Sequence, residues 1–253
     1  MDEVGPGKTV SATAYQKARE LAAVQKNEAA LIAYEEAFRQ EPTDFKAAFG
    51  VGLMLQRLHQ HSEAIAAFTQ VLDLHSGVAE AYYSRAVSLQ KLERHDEALR
   101  DLESALSLDP EYIDAMYARG VSLKDFERYE EALNEYCKVL SRAAVYPPAS
   151  HGRATIRHMM GDYAGAIEDF TNCIEHGLDR YDVRLLRGLA FERTGRPAEA
   201  IEDFTRAISF RPKDGTTYIR RWHAYKEIGD EARAAEDYQI GNKLMEKTST
   251  DKD

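Results

Sequence analysis

Seven alanines recur along this chain at an unchanging interval of 34 residues. They are Ala30, Ala64, Ala98, Ala132, Ala166, Ala200 and Ala234. A fixed period of this length is typical of a repeated helix–turn–helix unit, in which each repeat buries its apolar face on its neighbours. The interval therefore predicts seven consecutive repeats rather than a fold built around one compact core.

A second row of small residues lies twelve positions before the alanines. Its members are Ala18, Gly52, Ala86, Gly120, Ala154 and Gly188. Two small residues at a fixed spacing indicate two helices in close contact, because a larger side chain would push them apart. Trp222 breaks the row in the seventh repeat, where Gly241 replaces the Ala, Val or Cys of the other repeats. We predict that the Trp222 indole fills the space that Gly241 leaves.

The period also sets the boundaries of the predicted repeats. We expect helix pairs at 11–44, 45–78, 79–112, 113–146, 147–180, 181–214 and 215–248. Residues 1–10 are expected to form a flexible lead-in, and the polar residues 249–253 a disordered tail. Turn signals such as Gly161-Asp162 and Gly229-Asp230 separate the two helices of a pair.

Several coincident positions identify the kind of repeat. Repeat one reads Ala18, Leu21, Ala30, Tyr34, Ala37 and Pro42, and repeat six reads Gly188, Phe191, Ala200, Phe204, Ala207 and Pro212. With this pattern the chain resembles the tetratricopeptide repeat (TPR) family over about residues 11–248. The resemblance implies an all-α fold, a right-handed TPR superhelix (α-solenoid) of seven helix–turn–helix repeats.

Charge and cysteine content limit the kinds of partner and the compartment that we expect. The formal net charge is −10, which argues against nucleic acid as a partner because its binding depends on neutralising phosphates. No apolar run is long enough for membrane insertion. The chain holds two cysteines, and Cys173 occupies a small packing position where a buried, inert thiol is expected. These features favour a cytoplasmic, intracellular protein.

A periodic arginine predicts a set of ion pairs. Repeats three to seven carry Arg85, Arg119, Arg153, Arg187 and Arg221 just before the small residue. The same repeats carry Asp101, Glu135, Asp169, Asp203 and Asp237 three positions after the alanine. We expect each arginine to pair with the acid of its own repeat and to brace the two helices. Repeats one and two lack both halves: Lys17 and Val51 replace the arginine, and Ala33 and Ala67 replace the acid.

The sequence shows no constellation that would support catalysis. Its eight histidines are scattered, and His151 and His158 share a helical face without an acidic or cysteine partner at metal-ligand spacing. We therefore predict a non-enzymatic protein that uses neither a cofactor nor a metal.

The resemblance implies that first helices line a concave groove that binds a peptide segment. Aromatic residues in repeats one to four lie four positions before an arginine or an aliphatic residue, so the two sets share a helical face. The predicted binding residues are Tyr15, Arg19, Lys46, Phe49, Leu53, Arg57, Tyr83, Val87, Lys91, Tyr117, Val121, Lys124 and His151. A competing interpretation is that these side chains mainly pack between neighbouring first helices.

The flanking charges suggest the chemistry of the partner. Basic residues beside the first three repeats favour a protein or peptide segment that is hydrophobic with acidic residues. The TPR subclass that captures chaperone tails uses lysine and asparagine in one repeat, asparagine in the next, and lysine plus arginine in the third. The equivalent positions here hold Tyr15 and Arg19, then Gly50, then Glu80 and Ser84, so that function is disfavoured.

Two other functions stay open at this point. One is a structural subunit of a larger intracellular complex, for example a transport or ciliary assembly, that docks by its convex face or its ends. The other is a regulatory helper of an enzyme on another chain. The oligomeric state is also open.

Overall fold

The computed structural model describes residues 6–250, with side chains described from 13 to 246. Within that range the chain forms fourteen α-helices and no strand. It divides into two compact units, Met1–Glu127 and Arg128–Asp253.

The helices of each unit follow one another in chain order, joined by short turns. Those of unit 1 are α1 (Pro6–Ala23), α2 (Asn27–Gln40), α3 (Phe45–Arg57), α4 (His61–Leu74), α5 (Ala79–Lys91), α6 (His95–Leu108) and α7 (Ile113–Asp125). Those of unit 2 are α8 (Tyr129–Arg142), α9 (Pro147–Met159), α10 (Tyr163–Glu175), α11 (Tyr181–Arg193), α12 (Pro197–Phe210), α13 (Gly215–Glu227) and α14 (Glu231–Thr250).

These helices confirm the all-α fold and the seven helix pairs. The two outermost helices extend beyond the predicted repeat region, residues 11–248. Helix α1 begins at Pro6, inside the segment 1–10 expected to be a lead-in. Proline suits this first position because it lacks only an N–H that no helical carbonyl would accept. Helix α14 ends at Thr250, and the remaining residues of the predicted tail 249–253 lie outside the described part of the chain.

Close contact between the two helices of a pair depends on the small residues. All seven alanines of the 34-residue row are fully or almost fully buried. A Cβ placed on Gly52 would lie 2.5 Å from the Phe68 ring, and one on Gly188 would lie 2.6 Å from the Phe204 ring. The second helix therefore presses an aromatic ring onto the backbone of the first helix, and a side chain at either glycine would displace it.

The seventh pair departs from this arrangement, and our prediction for it is wrong. Tyr238 occupies the ring position of Phe204, but it is 47% exposed while Phe204 is fully buried. The Trp222 indole packs against the Tyr238 ring at a tilt of 49°, with centroids 5.1 Å apart, and occupies the position that glycine has in repeats two and six. The space beside Gly241 is taken by Ile219, whose Cδ1 would lie 2.8 Å from an added Cβ. The indole displaces the tyrosine outward because it takes the place of a small residue.

The turn within each pair uses a left-handed residue at the same repeat position. The residues are Gln25, His59, Glu93, Glu127, Gly161, Gly195 and Gly229, with φ between 58° and 85°. The next residue donates its N–H back across the turn, as Arg94 does to the Leu89 carbonyl at 2.9 Å. This closure is the Schellman motif that ends many helices. Glycine adopts this left-handed conformation without steric cost, whereas Gln25, His59, Glu93 and Glu127 of unit 1 adopt it at a cost.

Four of the predicted ion pairs are confirmed, and each joins three helices. Arg85 donates Nε and Nη2 to the two carboxylate oxygens of Asp101, both at 2.7 Å. Its Nη1 donates to Thr69 Oγ1 on the preceding second helix at 3.0 Å. The corresponding pairs in unit 2 are Arg153–Asp169, Arg187–Asp203 and Arg221–Asp237.

The acids of these four pairs are all buried. The hydrogen bond to Asp101 raises the pKa of Arg85, which stays charged. Arg119 with Glu135 stays a prediction.

The two cysteines lie in different surroundings. Cys173 is fully buried, as expected, and burial raises the pKa of its thiol to about 12. Cys137 is exposed, and Arg153 Nη1 lies 3.5 Å from its Sγ. Both thiols are free.

The turns predict a gain in stability from a single substitution. Replacing exposed Glu93 with glycine removes the left-handed cost of about 1–2 kcal/mol but adds a glycine entropy cost of about 0.5–1 kcal/mol. We expect Glu93→Gly to raise the free energy of unfolding by about 1 kcal/mol. The measurement is urea unfolding followed by circular dichroism.

A matched control lies on the same helix pair. Glu103 is exposed in the middle of α6, and Glu103→Gly should lower the free energy of unfolding by about 1 kcal/mol. Equal losses in the two variants would contradict the role that we assign to the turn.

Candidate functional site

The first helices of unit 1 form a continuous surface. Helix α5 contacts both α3 and α7, so successive first helices lie side by side. We call the surface that carries Tyr15, Phe49, Tyr83 and Tyr117 the first-helix face. It is built from α1, α3, α5 and α7, and it holds every predicted binding residue except His151.

The four aromatic residues of this face are half-buried. The Tyr15 ring packs edge-on against Tyr34 of α2, with centroids 5.7 Å apart. Phe49 packs against Phe68 of α4 at 5.6 Å. Each ring thus has one side held by the second helix of its own repeat, which restricts its motion while leaving part of the ring accessible.

Tyr83 is held in a different way. Its ring lies 5.0 Å from Tyr112, the last residue of repeat three and the N-cap of α7, so it packs against the turn that leads into repeat four. Burial raises the pKa of Tyr83, and the nearby Asp114 adds to the effect. Its hydroxyl therefore stays protonated and able to donate a hydrogen bond at neutral pH.

Aliphatic and basic side chains complete the face. Leu53, Val87 and Val121 are half-buried beside the aromatic row. Arg19, Lys46, Arg57 and Lys91 are exposed, and Lys124 is half-buried. Arg57 Nη1 donates to the Ala22 carbonyl at 3.2 Å, and Lys124 Nζ lies 3.2 Å from Asp125.

His151 belongs to unit 2. It is half-buried on α9, where its Nε2 lies 3.1 Å from an Asp182 carboxylate oxygen on α11. Its ring also packs edge-on against Phe170, at 6.1 Å between centroids. Both contacts are within unit 2, so we describe His151 apart from the first-helix face.

Two glutamines join the first helices of unit 1, and the sequence analysis missed them. Gln56 Nε2 donates to the Ser84 carbonyl at 2.7 Å and to Ser88 Oγ at 2.9 Å. Gln90 makes the same two bonds one repeat later, to the Ala118 carbonyl at 2.8 Å and Ser122 Oγ at 2.7 Å.

Ser88 and Ser122 are fully buried. A buried hydroxyl and carbonyl that share one amide donor hold adjacent helices in register. The available signal was the 34-residue spacing of both residue types.

Unit 2 carries an acid at the same repeat position. Glu192 of α11 stands where α3 and α5 have glutamine, and Ala224 stands where they face serine. Burial raises the pKa of Glu192 to about 7, an effect that Glu227 increases and Arg220 and Arg193 oppose. An ionised carboxylate has no proton to donate, so it lacks the bond that glutamine makes in unit 1.

The raised pKa of Glu192 predicts that replacing it with glutamine changes the free energy of unfolding by an amount that depends on pH. The folded-state pKa of about 7 exceeds the ordinary value of 4.5, so folding favours protonated Glu192. The contribution of Glu192 to the free energy of unfolding is complete below pH 4.5 and is lost as the pH rises through about 7.

We expect Glu192→Gln to raise the free energy of unfolding at pH 8 more than at pH 4.5. Urea titrations at both values measure this, with exposed Glu202→Gln as the control. An equal gain in the free energy of unfolding at both pH values would contradict the raised pKa that we assign to Glu192.

The described residues contain neither a metal site nor a membrane-spanning helix. No group of three or more His, Cys, Asp or Glu side chains in that part of the chain is placed to hold a metal ion. Nor does any described helix combine the length and apolar character needed to cross a bilayer.

Solved structures share this architecture. A tetratricopeptide repeat protein from Parabacteroides merdae is 21% identical, with a TM-score of 0.67 over 92% of this chain and 93% of its own. PilW, a type IV pilus biogenesis factor, is 22% identical, with a TM-score of 0.70 over 80% of this chain and 94% of its own. YrrB, a TPR protein with an unusual peptide-binding site, is 22% identical, with a TM-score of 0.63 over 77% and 98%. At these identities the likeness concerns the fold alone.

Family comparisons agree with the repeat positions. Three models, all described as tetratricopeptide repeat, match residues 15–79 and 159–215, residues 79–112, and residues 113–146. No curated protein sequence matches the chain significantly. The family matches extend over most of the chain, and those at 79–112 and 113–146 coincide with the third and fourth predicted repeats. The chain belongs to the tetratricopeptide repeat family.

Proposed function

We propose that this protein is a non-enzymatic scaffold or adaptor that binds a segment of a partner protein along the first-helix face of unit 1. The observation that carries the proposal is the row of half-buried aromatic rings, one on each of four successive first helices. Aromatic side chains with one packed and one accessible side are frequent anchors of protein interfaces.

The packing of these rings favours binding. Tyr15 and Phe49 rest on rings of their own second helices, and Tyr83 rests on Tyr112. Because the rings are already ordered, a partner that covers them loses little side-chain entropy. The glutamine bonds that hold α3, α5 and α7 in register also fix the spacing of the rings. The face is therefore organised before a partner arrives.

The charges support a partner segment that is hydrophobic with acidic residues. Unit 1 exposes Arg57 and Lys91 at the carboxyl ends of α3 and α5, beside the aliphatic row. Arg19 and Lys46 add positive charge in the first two repeats. Acidic side chains of a partner would meet these groups at the rim of the apolar surface, where charge mainly steers association and selects partners. Intracellular, cytoplasmic action is part of this proposal.

The proposal predicts that two tyrosines dominate binding. Tyr83→Ala with Tyr117→Ala should weaken capture of partners at least about tenfold, because hot-spot aromatics each contribute about 2 kcal/mol or more. The measurement is affinity capture from a cell lysate with partners quantified by mass spectrometry, after circular dichroism shows that the variant is folded.

The control variant changes apolar residues on the other face. Leu74 and Leu108, near the ends of α4 and α6, are 40% and 48% exposed, so Leu74→Ala with Leu108→Ala should retain partners. Lys91→Glu, at an exposed position, should also reduce capture and needs no truncation of a packed ring. Partners retained by both first-helix variants but lost from the control would place the site on the second helices.

A further inference from the structure

Unit 1 contains an open cavity on the opposite side of the repeats from the first-helix face. It lies between α2, α3 and α4 and has a volume of about 430 Å³. Phe38, Pro42, Ala48, Val51 and Ala67 line its apolar part. We call it the second-helix cleft. Its volume is within the range of about 300–1,000 Å³ typical of ligand sites.

A cavity at the equivalent repeat positions of unit 2 differs from the second-helix cleft in its floor. It lies between α8, α9 and α10, and its lining includes Arg153 and Asp169 at the repeat positions of Val51 and Ala67. In unit 2 those two residues form a bidentate ion pair, with bonds of 2.9 and 2.6 Å. The floor of the second-helix cleft is apolar because repeat two lacks both members of that pair.

The rim of the second-helix cleft carries Glu35 and Arg39, both on α2. Glu35 of α2 lines it and is exposed, at the position where Cys137 and Thr69 receive an arginine in later repeats. No described side chain forms an ion pair with Glu35. The neighbouring Arg39 pairs with Glu36 instead. An apolar floor beside an uncompensated carboxylate favours a ligand with both apolar and cationic groups.

We propose that the second-helix cleft binds a segment of a partner protein that presents a large apolar side chain followed by a lysine or arginine. The apolar side chain enters between Val51, Ala67 and Phe38. The basic side chain lies over the rim and pairs with Glu35, in place of the arginine that later repeats supply within the chain. This site is separate from the first-helix face and adds a second contact to the scaffold.

The chemistry of the cleft distinguishes between possible ligands. An apolar residue followed by an acid would place two carboxylates together at the rim, which is unfavourable. A purely apolar ligand would leave Glu35 without a partner and gain nothing from its charge. The two faces of unit 1 therefore select segments of opposite charge.

The test uses two capped dipeptides, N-acetyl-Phe-Arg-amide and N-acetyl-Phe-Glu-amide, with the full chain labelled at alanine and valine methyls. We expect Phe-Arg to shift the methyl signals of Ala48, Val51 and Ala67 in a saturable manner, and Phe-Glu to bind several-fold more weakly. Ala144, which lines the homologous cavity of unit 2, is the internal control and should not shift.

Three variants make the test specific. Val51→Arg with Ala67→Asp supplies the ion pair that four other repeats contain, so the variant should fold and should lose binding of Phe-Arg. Glu35→Gln leaves the floor intact and should make the two dipeptides bind equally. Tyr83→Ala with Tyr117→Ala should bind Phe-Arg as the wild type does, so this site can fail or succeed independently of the first-helix face.

Several results would overturn the proposal. Absence of shifts at Ala48, Val51 and Ala67 would do so, as would equal binding of the two dipeptides to the wild type. Unchanged Phe-Arg binding by Val51→Arg with Ala67→Asp would place the dipeptide elsewhere. Loss of binding in the Tyr83→Ala, Tyr117→Ala variant would assign it to the first-helix face.

Discussion

Each repeat depends on a close approach between its two helices at the buried alanine of the second helix. In repeats two and six an aromatic ring of the second helix also lies directly on the backbone of the first, Phe68 on Gly52 and Phe204 on Gly188. The approach brings the remaining side chains of the first helix to one surface and those of the second helix to the other. Protein interiors pack too densely to absorb an added side chain at such a contact, so a large residue there displaces the side chain that packs on it. Where Trp222 occupies it, Tyr238 moves to the surface.

Much of the fold could be predicted because the period repeats physical requirements seven times. The alanine row located the helix contacts, and the spacing of Arg85 and Asp101 predicted an ion pair that the structure contains. Two residues of opposite charge at a constant offset in several repeats indicate a contact that a single pair would not. The same periodicity makes Val51 and Ala67 informative, since the apolar floor of the second-helix cleft follows from the absence of the ion pair that they replace.

Other features depend on geometry that a pattern of residue types does not contain. Gln56 and Ser88 recur one repeat later, but nothing in their identities shows that an amide reaches between neighbouring first helices. The exchange of Trp222 and Gly241 was misread because matching volumes do not show that two residues share a space; Ile219 fills it. The aromatic rings of the first-helix face were predicted as a row. Their partners, Tyr34, Phe68 and Tyr112, depend on the packing of second helices and turns.

Contact mapping is the direct test of whether a partner segment lies on the first helices of unit 1. A photoreactive benzoylphenylalanine replaces Lys91, exposed on α5, or Glu103, exposed on α6. Both positions tolerate a large side chain because they face solvent, and both lie in the same helix pair. We expect cross-linked partner peptides to form from position 91 and not from position 103. Cross-links from position 103 alone would contradict this expectation.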